Sequence, residues 1–192
     1  MNNEFWIVRH GATEWSENGR HTGVTDVPLL EAGKQSARAL APALAQHQFA
    51  LALTSPLTRA RETAVLAGFP DAVVDPDLHE WNYGELEGLT TPEIRARGGE
   101  WEHWTIFTGT APGGETIDEV ATRARAVLAR AAAAGGNVIC FTHGHMGRVL
   151  AAIALGCEPD LGAHLALEPA TINVVGHEHD IPVLRLWNDR AD

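Results

Sequence analysis

Two histidines, each preceded by a polar residue and followed by glycine, have the setting most typical of catalysis in this 192-residue chain. His10 lies in Arg9-His10-Gly11, and His143 lies in Thr142-His143-Gly144. A neutral imidazole can act as a nucleophile or as a general base near neutral pH. A single histidine after a strand is usually a packing or capping residue. Two histidines in the same setting are much harder to attribute to packing, so both are candidate catalytic residues.

An arginine and a glutamate are the next candidates. Arg59 follows Ser55-Pro56, where Ser55 is predicted to cap a helix that starts at Pro56. Backbone N–H groups at a helix start attract anions, so Arg59 would add to an anion-binding site. Glu80 is flanked by aromatic residues, which are expected to exclude water and keep its carboxyl group protonated. We interpret Arg61, Glu85 and Glu87 as solvated surface charges.

Several other functional motifs are absent or incomplete. No serine lies in a Gly-x-Ser-x-Gly motif, which excludes the nucleophile elbow of serine hydrolases. The Gly-x-x-x-x-Gly-Lys-Ser/Thr phosphate loop is absent, and Gly144-His145-Met146-Gly147 is only a fragment of a dinucleotide-binding motif. The pairs His143/His145 and His177/His179 lack further ligands at recognisable spacing. We therefore predict no metal site and interpret the second pair as part of a surface turn.

The composition is that of an ordinary globular protein with an acidic balance. Asp and Glu number 25 against 14 Lys and Arg, which gives a formal net charge of −11. Nucleic acids and anionic membranes require a basic surface, so neither is expected as a partner. A small anionic substrate needs only a few cations in one cleft. Two cysteines are too few for a disulfide framework. With no visible signal peptide or membrane span, we expect a cytoplasmic protein with a single domain over residues 1–192.

Apolar runs that alternate with helical patterns predict an α/β fold. Strands are expected at residues 5–8, 51–54, 73–74, 137–141, 172–175 and 183–187, and helices at 31–47, from 56 onward, and at 92–96, 116–134 and 144–155. Pro42 should kink or end the first helix early, whereas a capping box at 116–119 should open the longest one. Such alternation produces a largely parallel sheet with helices on both faces. Ligands bind beyond the carboxyl ends of its strands, where Arg9-His10, Ser55 and Thr142-His143 are expected to lie.

These motifs together resemble the histidine phosphatase superfamily, which includes the cofactor-dependent phosphoglycerate mutases. The resemblance rests on Arg9-His10-Gly11, Ser55-Pro56-Leu57-x-Arg59-Ala60, Glu80, Gly84-x-x-Glu87-Gly88 and His143-Gly144. It extends from about residue 7 to residue 149. The family implies a three-layer α/β/α sandwich with a largely parallel central sheet, in agreement with the pattern of strands and helices.

The resemblance also implies a role for each candidate residue. The phosphate-accepting histidine of the family corresponds to His10, and its proton donor corresponds to Glu80. Ser16 lies six residues after His10, where family members often have asparagine. The implied catalytic and phosphate-binding residues are Arg9, His10, Ser16, Arg59, Glu80, His143 and Gly144, and the implied substrate contacts are Thr22, Gly23, Glu80 and Tyr83. The runs 14–16, 22–23 and 80–84 resemble in particular the bacterial acid phosphatases and fungal sugar-bisphosphatases of the superfamily.

Hydrolysis of small phosphomonoesters is the chemistry that these residues favour. Two guanidinium groups, Arg9 and Arg59, would hold the phosphate, and a protonated His143 would add a third donor. His10 would attack phosphorus from one ring nitrogen while the other nitrogen is bonded to a backbone carbonyl. Glu80 would protonate the leaving alkoxide and then activate water. This mechanism requires neither a metal ion nor a cofactor, and the partner is a small phosphorylated metabolite.

Two alternative functions stay open. A phosphoglycerate mutase would use the same pocket, but the compact segment 91–115 contains only a loose match, Arg95 and Arg97, to the arginine pair that mutases use for the substrate carboxylate. A catalytically silent phosphate-binding module would also retain the pocket. The oligomeric state is not encoded in any visible pattern. An aromatic set either covers the cleft or forms core beneath an irregular segment: Trp81, Tyr83, Trp101, Trp104 and Phe107.

Overall fold

A six-stranded sheet forms the centre of the protein, whose computed structural model describes residues 3–191. Its strands are β1 (Phe5–Arg9), β2 (Leu51–Thr54), β3 (Val73–Val74), β4 (Val138–Thr142), β5 (Ile172–Glu178) and β6 (Ile181–Asp189). The α-helices are α1 (Glu14–Glu17), α2 (Glu31–Ala39), α3 (Ala41–Leu44), α4 (Thr58–Leu66), α5 (Thr91–Arg95), α6 (Ile117–Ala133) and α7 (Gly144–Ala154). Short 3-10 turns occupy Pro76–Leu78, Gly84–Leu86, Gly99–Trp101 and Pro159–His164.

The sheet is largely parallel, as predicted. Its strand order is β3-β2-β4-β1-β5-β6, with parallel pairing from β3 to β1 and antiparallel pairing of β5 with both β1 and β6. Strands β2, β4 and β1 are neighbours that end at the same edge. The His10 amide donates to the Thr142 carbonyl at 2.9 Å, and the Ser55 amide donates to the Phe141 carbonyl at 2.9 Å. The sheet therefore brings together the three strand ends that carry candidate residues.

Helices cover both faces of the sheet, because side chains along a strand point alternately to opposite sides. Phe5 and Ile7 of β1 pack on one face against a core to which α6 and α7 contribute. Trp6 and Val8 pack on the other face with residues of α3 and α4. This arrangement confirms the predicted three-layer α/β/α sandwich. Among residues 3–191, no helix combines the length and the apolar character that crossing a membrane requires.

Most helix boundaries follow the predicted signals. Thr116 caps α6 through the predicted capping box, in which its hydroxyl accepts from the Glu119 amide. The helix predicted over 31–47 ends at Ala39, and Pro42 lies in the first turn of the separate helix α3. The predicted helix start at Pro56 is wrong, since α4 begins at Thr58. Ser55 does not cap that helix, and the structure gives its hydroxyl another partner, described below.

The turn after β1 depends on a close approach between two glycines. A Cβ added at Gly11 would lie 2.4 Å from the Gly33 carbonyl oxygen, and one added at Gly33 would lie 2.3 Å from the Ala12 carbonyl oxygen. Only residues without a side chain permit this packing of α2 against the loop that follows His10. The helix thereby supports the backbone that carries His10.

Candidate active site

A cavity of about 170 Å³ lies beyond the carboxyl ends of β1 and β4. Its walls contain seven of the residues that the sequence predicted for the site: Arg9, His10, Ser16, Thr22, Glu80, Tyr83 and Gly144. Arg59 and His143 are fully buried behind this wall. A larger cavity of about 590 Å³ lies at the opposite end of the sheet, against Phe5 and Val138, and contains none of the predicted residues.

His10 has one ring nitrogen committed to the backbone. Its Nδ1 lies 2.7 Å from the carbonyl oxygen of Gly11. A carbonyl oxygen can only accept, so Nδ1 carries the proton and Nε2 carries the lone pair. Burial, followed by the positive charges of Arg59 and Arg9, holds the pKa of His10 well below its usual value of 6.5. The expected tautomer is therefore present, and the imidazole is neutral.

Arg9 lies beside His10 with an unused donor. Its Nη1 donates to the carbonyl oxygen of Leu167, whereas its buried Nε has no hydrogen-bond partner among the described residues. A Cβ added at Gly144 would lie 3.5 Å from this Nε and 3.6 Å from the Glu80 carboxylate, so both groups face the start of α7. A buried N–H without an acceptor is costly, and an anion in the cavity would satisfy it.

Arg59 is held mainly by the protein itself. Its Nη2 donates at 3.0 Å to the carbonyl oxygens of both Thr22 and Gly23, and its Nη1 donates to that of Thr25 at 2.8 Å. Its Nε donates to Nδ1 of His143 at 3.2 Å. Since guanidinium has five N–H groups, these contacts leave one on Nη1 for an incoming phosphate. A bidentate contact of Arg59 with phosphate would therefore require some of these bonds to be exchanged.

His143 is neutral rather than protonated, which corrects the sequence-based expectation. Because Nδ1 accepts from Arg59, the ring proton lies on Nε2, which donates to Ser55 Oγ at 2.7 Å. Burial is the main cause, and Arg59 the next, of a His143 pKa well below 6.5. Its ring centroid lies 5.2 Å from that of His10. In this state His143 links Ser55 to Arg59, and neither nitrogen is left over as a third donor.

The buried carboxylate of Glu80 accepts three backbone N–H groups. Oε1 accepts from Trp81 at 2.9 Å and from Met146 at 2.8 Å, while Oε2 accepts from His145 at 3.0 Å. The last two donors belong to the first turn of α7. The prediction considered only the aromatic neighbours and missed these three backbone donors. Glu80 is thus placed in the cavity wall at a helix start.

Other predicted residues have roles that differ from the expected ones. The Ser16 hydroxyl donates to the Thr13 carbonyl at 2.9 Å and accepts from the Thr13 amide at 2.8 Å, so its proton is used in capping α1 rather than offered to the cavity. Glu87 is not a solvated charge. Its carboxylate accepts from the amides of Gly23 and Thr25 and so fixes the loop whose carbonyls hold Arg59.

The aromatic set belongs mostly to the core. Trp81, Tyr83, Trp104 and Phe107 are buried in the cluster beneath the irregular segment, although Tyr83 also reaches the cavity. The Tyr83 hydroxyl lies 2.6 Å from Nδ1 of His145. The core interpretation is therefore correct for these four residues.

Six cavity residues were not predicted: Gly19, Arg20, His21, His145, Arg148 and Leu167. His145 was noted in the sequence only as a possible metal ligand and as part of the fragment Gly144-His145-Met146-Gly147. Within residues 3–191 no group of three or more His, Cys, Asp or Glu side chains is arranged to hold a metal ion. Arg148 had a usable signal, because it follows Gly144 by four residues and so lies on the same face of α7. Arg20 and His21 lie in a loop without periodicity and had no such signal.

Comparison with known proteins identifies the family. The model of the histidine phosphatase superfamily (branch 1) matches residues 5–190. The chain belongs to the histidine phosphatase superfamily. The member named acid phosphatase from Mycobacterium tuberculosis is 34% identical over 184 residues, which cover 94% of this chain and 89% of that protein.

Other superfamily members carry different activities in their names. Sedoheptulose 1,7-bisphosphatase of Saccharomyces cerevisiae is 36% identical over 78% of this chain and 66% of that protein. A 2,3-bisphosphoglycerate-dependent phosphoglycerate mutase of Gloeobacter violaceus is 38% identical over 75% of this chain and 72% of that protein. The solved structure of a Mycobacterium tuberculosis open reading frame superposes with a TM-score of 0.94 at 32% identity, over all of both chains. The resemblance to phosphatases and phosphoglycerate mutases of this superfamily is confirmed.

The lowered pKa of His10 predicts a loss of stability in acid. In the unfolded chain this histidine titrates near pH 6.5, whereas in the folded protein it remains neutral to well below that pH. The unfolded chain thus binds more protons below pH 6.5, and the free energy of unfolding falls as the pH falls. One such histidine contributes up to about 1.4 kcal/mol per pH unit.

Urea denaturation between pH 6.5 and 5 measures this dependence. The His10→Ala variant should lose stability with a smaller slope than the unsubstituted protein. His103→Ala, which removes an exposed histidine, should leave the slope unchanged. Equal slopes for the unsubstituted protein and His10→Ala would show that burial does not keep His10 neutral.

Proposed function

We propose that this protein is a phosphatase that hydrolyses small phosphomonoesters through a phosphohistidine on His10. The observation that carries the proposal is the neutral imidazole of His10, whose Nδ1–H is bonded to Gly11. The remaining lone pair of His10 is on Nε2. His10 lines the cavity beside Arg9, whose Nε has no partner among the described residues. A nucleophile beside an unsatisfied cation suits a substrate that is an anion with an electrophilic centre.

Phosphate binding would place the substrate between the cations and the nucleophile. The Nε of Arg9 and the remaining N–H of Arg59 would donate to the phosphoryl oxygens. The transition state of phosphoryl transfer is largely dissociative, so positioning and charge stabilisation supply most of the rate. His10 Nε2 would form the N–P bond while the ester O–P bond breaks and the leaving oxygen takes the electron pair.

Glu80 would handle the protons of both steps. Glu80 would enter the first step as the acid, with a proton taken from the monoanionic ester or from solvent. The protonated acid would transfer its proton to the leaving alkoxide, and the resulting carboxylate would take a proton from water as that water attacks the phosphohistidine. Release of inorganic phosphate would restore neutral His10. Our proposal gives no step to a metal ion or cofactor, and we place the reaction in the cytoplasm.

A phosphoglycerate mutase is the second candidate, favoured by the identity to the Gloeobacter protein of that name. It would use the same phosphohistidine but return the phosphoryl group to an organic acceptor. The segment between Glu80 and α6 is packed on the core rather than folded as a separate cover, because Trp104, Ile106 and Phe107 are buried. Water can then reach the phosphohistidine, which favours hydrolysis.

Turnover of an activated aryl phosphate tests the proposal. We expect release of inorganic phosphate by the unsubstituted protein and by His103→Ala, and a loss of at least about a thousandfold in His10→Ala, which lacks the nucleophile. Incubation with 3-phosphoglycerate should yield phosphate and no 2-phosphoglycerate. Formation of 2-phosphoglycerate without phosphate would identify a mutase, and absence of all turnover would identify a silent binding module.

Substitution of Glu80 by glutamine tests its role as the proton donor. Glutamine has nearly the same shape, and its single amide oxygen can still accept from the Trp81 and Met146 amides, but it loses the bond to His145 and supplies no acidic proton. Glu80→Gln should therefore slow phosphate release from alkyl phosphates, whose alkoxides are poor leaving groups, more than release from activated aryl phosphates. We expect the two slowing factors to differ by about a hundredfold or more. Single-turnover rates for the two substrate classes measure the difference. Equal slowing of both would assign the leaving-group proton to another residue.

A further inference from the structure

The cavity has a second positively charged wall that the proposed reaction does not use. Arg20 and Arg148 line the cavity together with Arg9, whereas Glu80 is the sole carboxylate among the lining residues. Glu80 and Arg9 both face Gly144, at the start of α7. The proposed reaction gives neither Arg20 nor Arg148 a role.

Arg148 is held rigidly without a carboxylate partner. Its Nε donates to the Gly162 carbonyl at 2.6 Å, and its Nη2 donates to the Ala163 carbonyl at 2.9 Å. Its guanidinium carbon lies 4.8 Å from the ring centroid of Phe107. Within the described residues, Nη1 makes no hydrogen bond. Partial burial lowers the pKa of Arg148 from its usual value, and no carboxylate of the described residues forms an ion pair with it.

Arg20 supplies a second cation from the loop before α2. One of its N–H groups donates to the Gly88 carbonyl at 2.5 Å, which anchors the guanidinium. Its nearest carboxylate is that of Glu93, at 3.7 Å. Both partners of this pair are more than a third exposed, so the pair neutralises little of the charge. Arg20 is therefore able to add to the attraction for an anion in the cavity.

The position of Arg148 relative to Gly144 determines where a ligand group would lie. Four residues along an α-helix correspond to a rise of about 6 Å on one face. Arg148 therefore lines the cavity from a position one helical turn beyond the point where Gly144 and Arg9 would hold a phosphate. The cavity, at about 170 Å³, is smaller than most ligand sites and therefore favours a small metabolite.

We propose that Arg148, assisted by Arg20, binds a second anionic group of the substrate, so that the preferred esters carry a distal phosphate or carboxylate. This proposal rests on the proposed phosphatase function, because it assumes that the scissile phosphate occupies the His10 end of the cavity. The distal group satisfies the Nη1 donors of Arg148 and neutralises a desolvated cation. Specificity then follows from charge at both ends of the substrate.

Matched pairs of esters distinguish the two kinds of distal group. Fructose 1,6-bisphosphate and fructose 1-phosphate share the scissile ester at C1 and differ in the distal phosphate. Likewise, 3-phosphoglycerate and glycerol 3-phosphate share the scissile ester and differ in a carboxylate. In at least one pair we expect the doubly anionic ester to have a kcat/KM about tenfold to hundredfold higher, the range for hydrogen bonds between charged groups. The pair that shows this preference identifies the distal group.

The Arg148→Gln variant should reduce the ratio of the two kcat/KM values in that pair to about one. Arg20→Gln should reduce the same ratio by a smaller factor. Arg61→Gln removes an exposed arginine outside the cavity and should retain the full preference. A merely structural role of Arg148 would lower kcat/KM for both members of a pair equally and preserve the ratio, which would overturn the proposal. If Arg148→Gln does not fold, the ratio in Arg20→Gln decides the matter in the same way.

The ratio also separates this proposal from the proposed function. If the unsubstituted protein releases phosphate from single and double anions with equal kcat/KM in both pairs, the second site is wrong and the phosphatase function stands. If no ester is hydrolysed, the phosphatase function is wrong. Calorimetry of the same four esters then tests the second site by affinity alone, and equal dissociation constants within each pair would overturn it.

Discussion

The hydrogen bond from His10 Nδ1 to the Gly11 carbonyl, at 2.7 Å, determines which nitrogen of the buried imidazole can react. It fixes the proton on Nδ1 and leaves a lone pair on Nε2, which is the form that a nucleophile needs. The Gly11 amide is itself held by Thr63 Oγ1 at 3.0 Å, and the close approach of Gly33 leaves no room for a side chain at Gly11. The reactivity of one ring thus depends on the backbone packing beneath it.

Burying cations next to this ring has a cost that the surrounding backbone offsets. Arg59 is completely buried, and its charge both lowers the pKa of His10 and requires acceptors. The carbonyls of the loop 22–25 supply them, and Glu87 holds that loop through two amides. The buried Nε of Arg9 has no acceptor among the described residues, and an anion would satisfy it. Charge stabilisation is therefore largely organised before a phosphate arrives.

The sequence predicted the arrangement of the sheet and the identity of most cavity residues, because apolar runs locate parallel strands and their polar ends share one edge. The sequence predicted that one ring nitrogen of His10 would bond to a backbone carbonyl, but not which nitrogen. The neutral state of His143 was not predicted, because its partners Arg59 and Ser55 come from a distant part of the chain. The hydroxyl contacts of Ser16 were not predicted either, because they depend on the turn that caps α1. Helical spacing from Gly144 would have indicated Arg148 as a cavity residue. The orientation of its guanidinium could not be predicted, because it depends on the carbonyls of Gly162 and Ala163.

Location of the phosphoryl group during turnover tests the central claim most directly. A reaction with radiolabelled ester is quenched in alkali, in which phosphohistidine survives, and the labelled peptide is sequenced. The account predicts that the label resides on His10 and is absent from the His10→Ala protein. Label on a different side chain would contradict the account, whatever the rate of turnover.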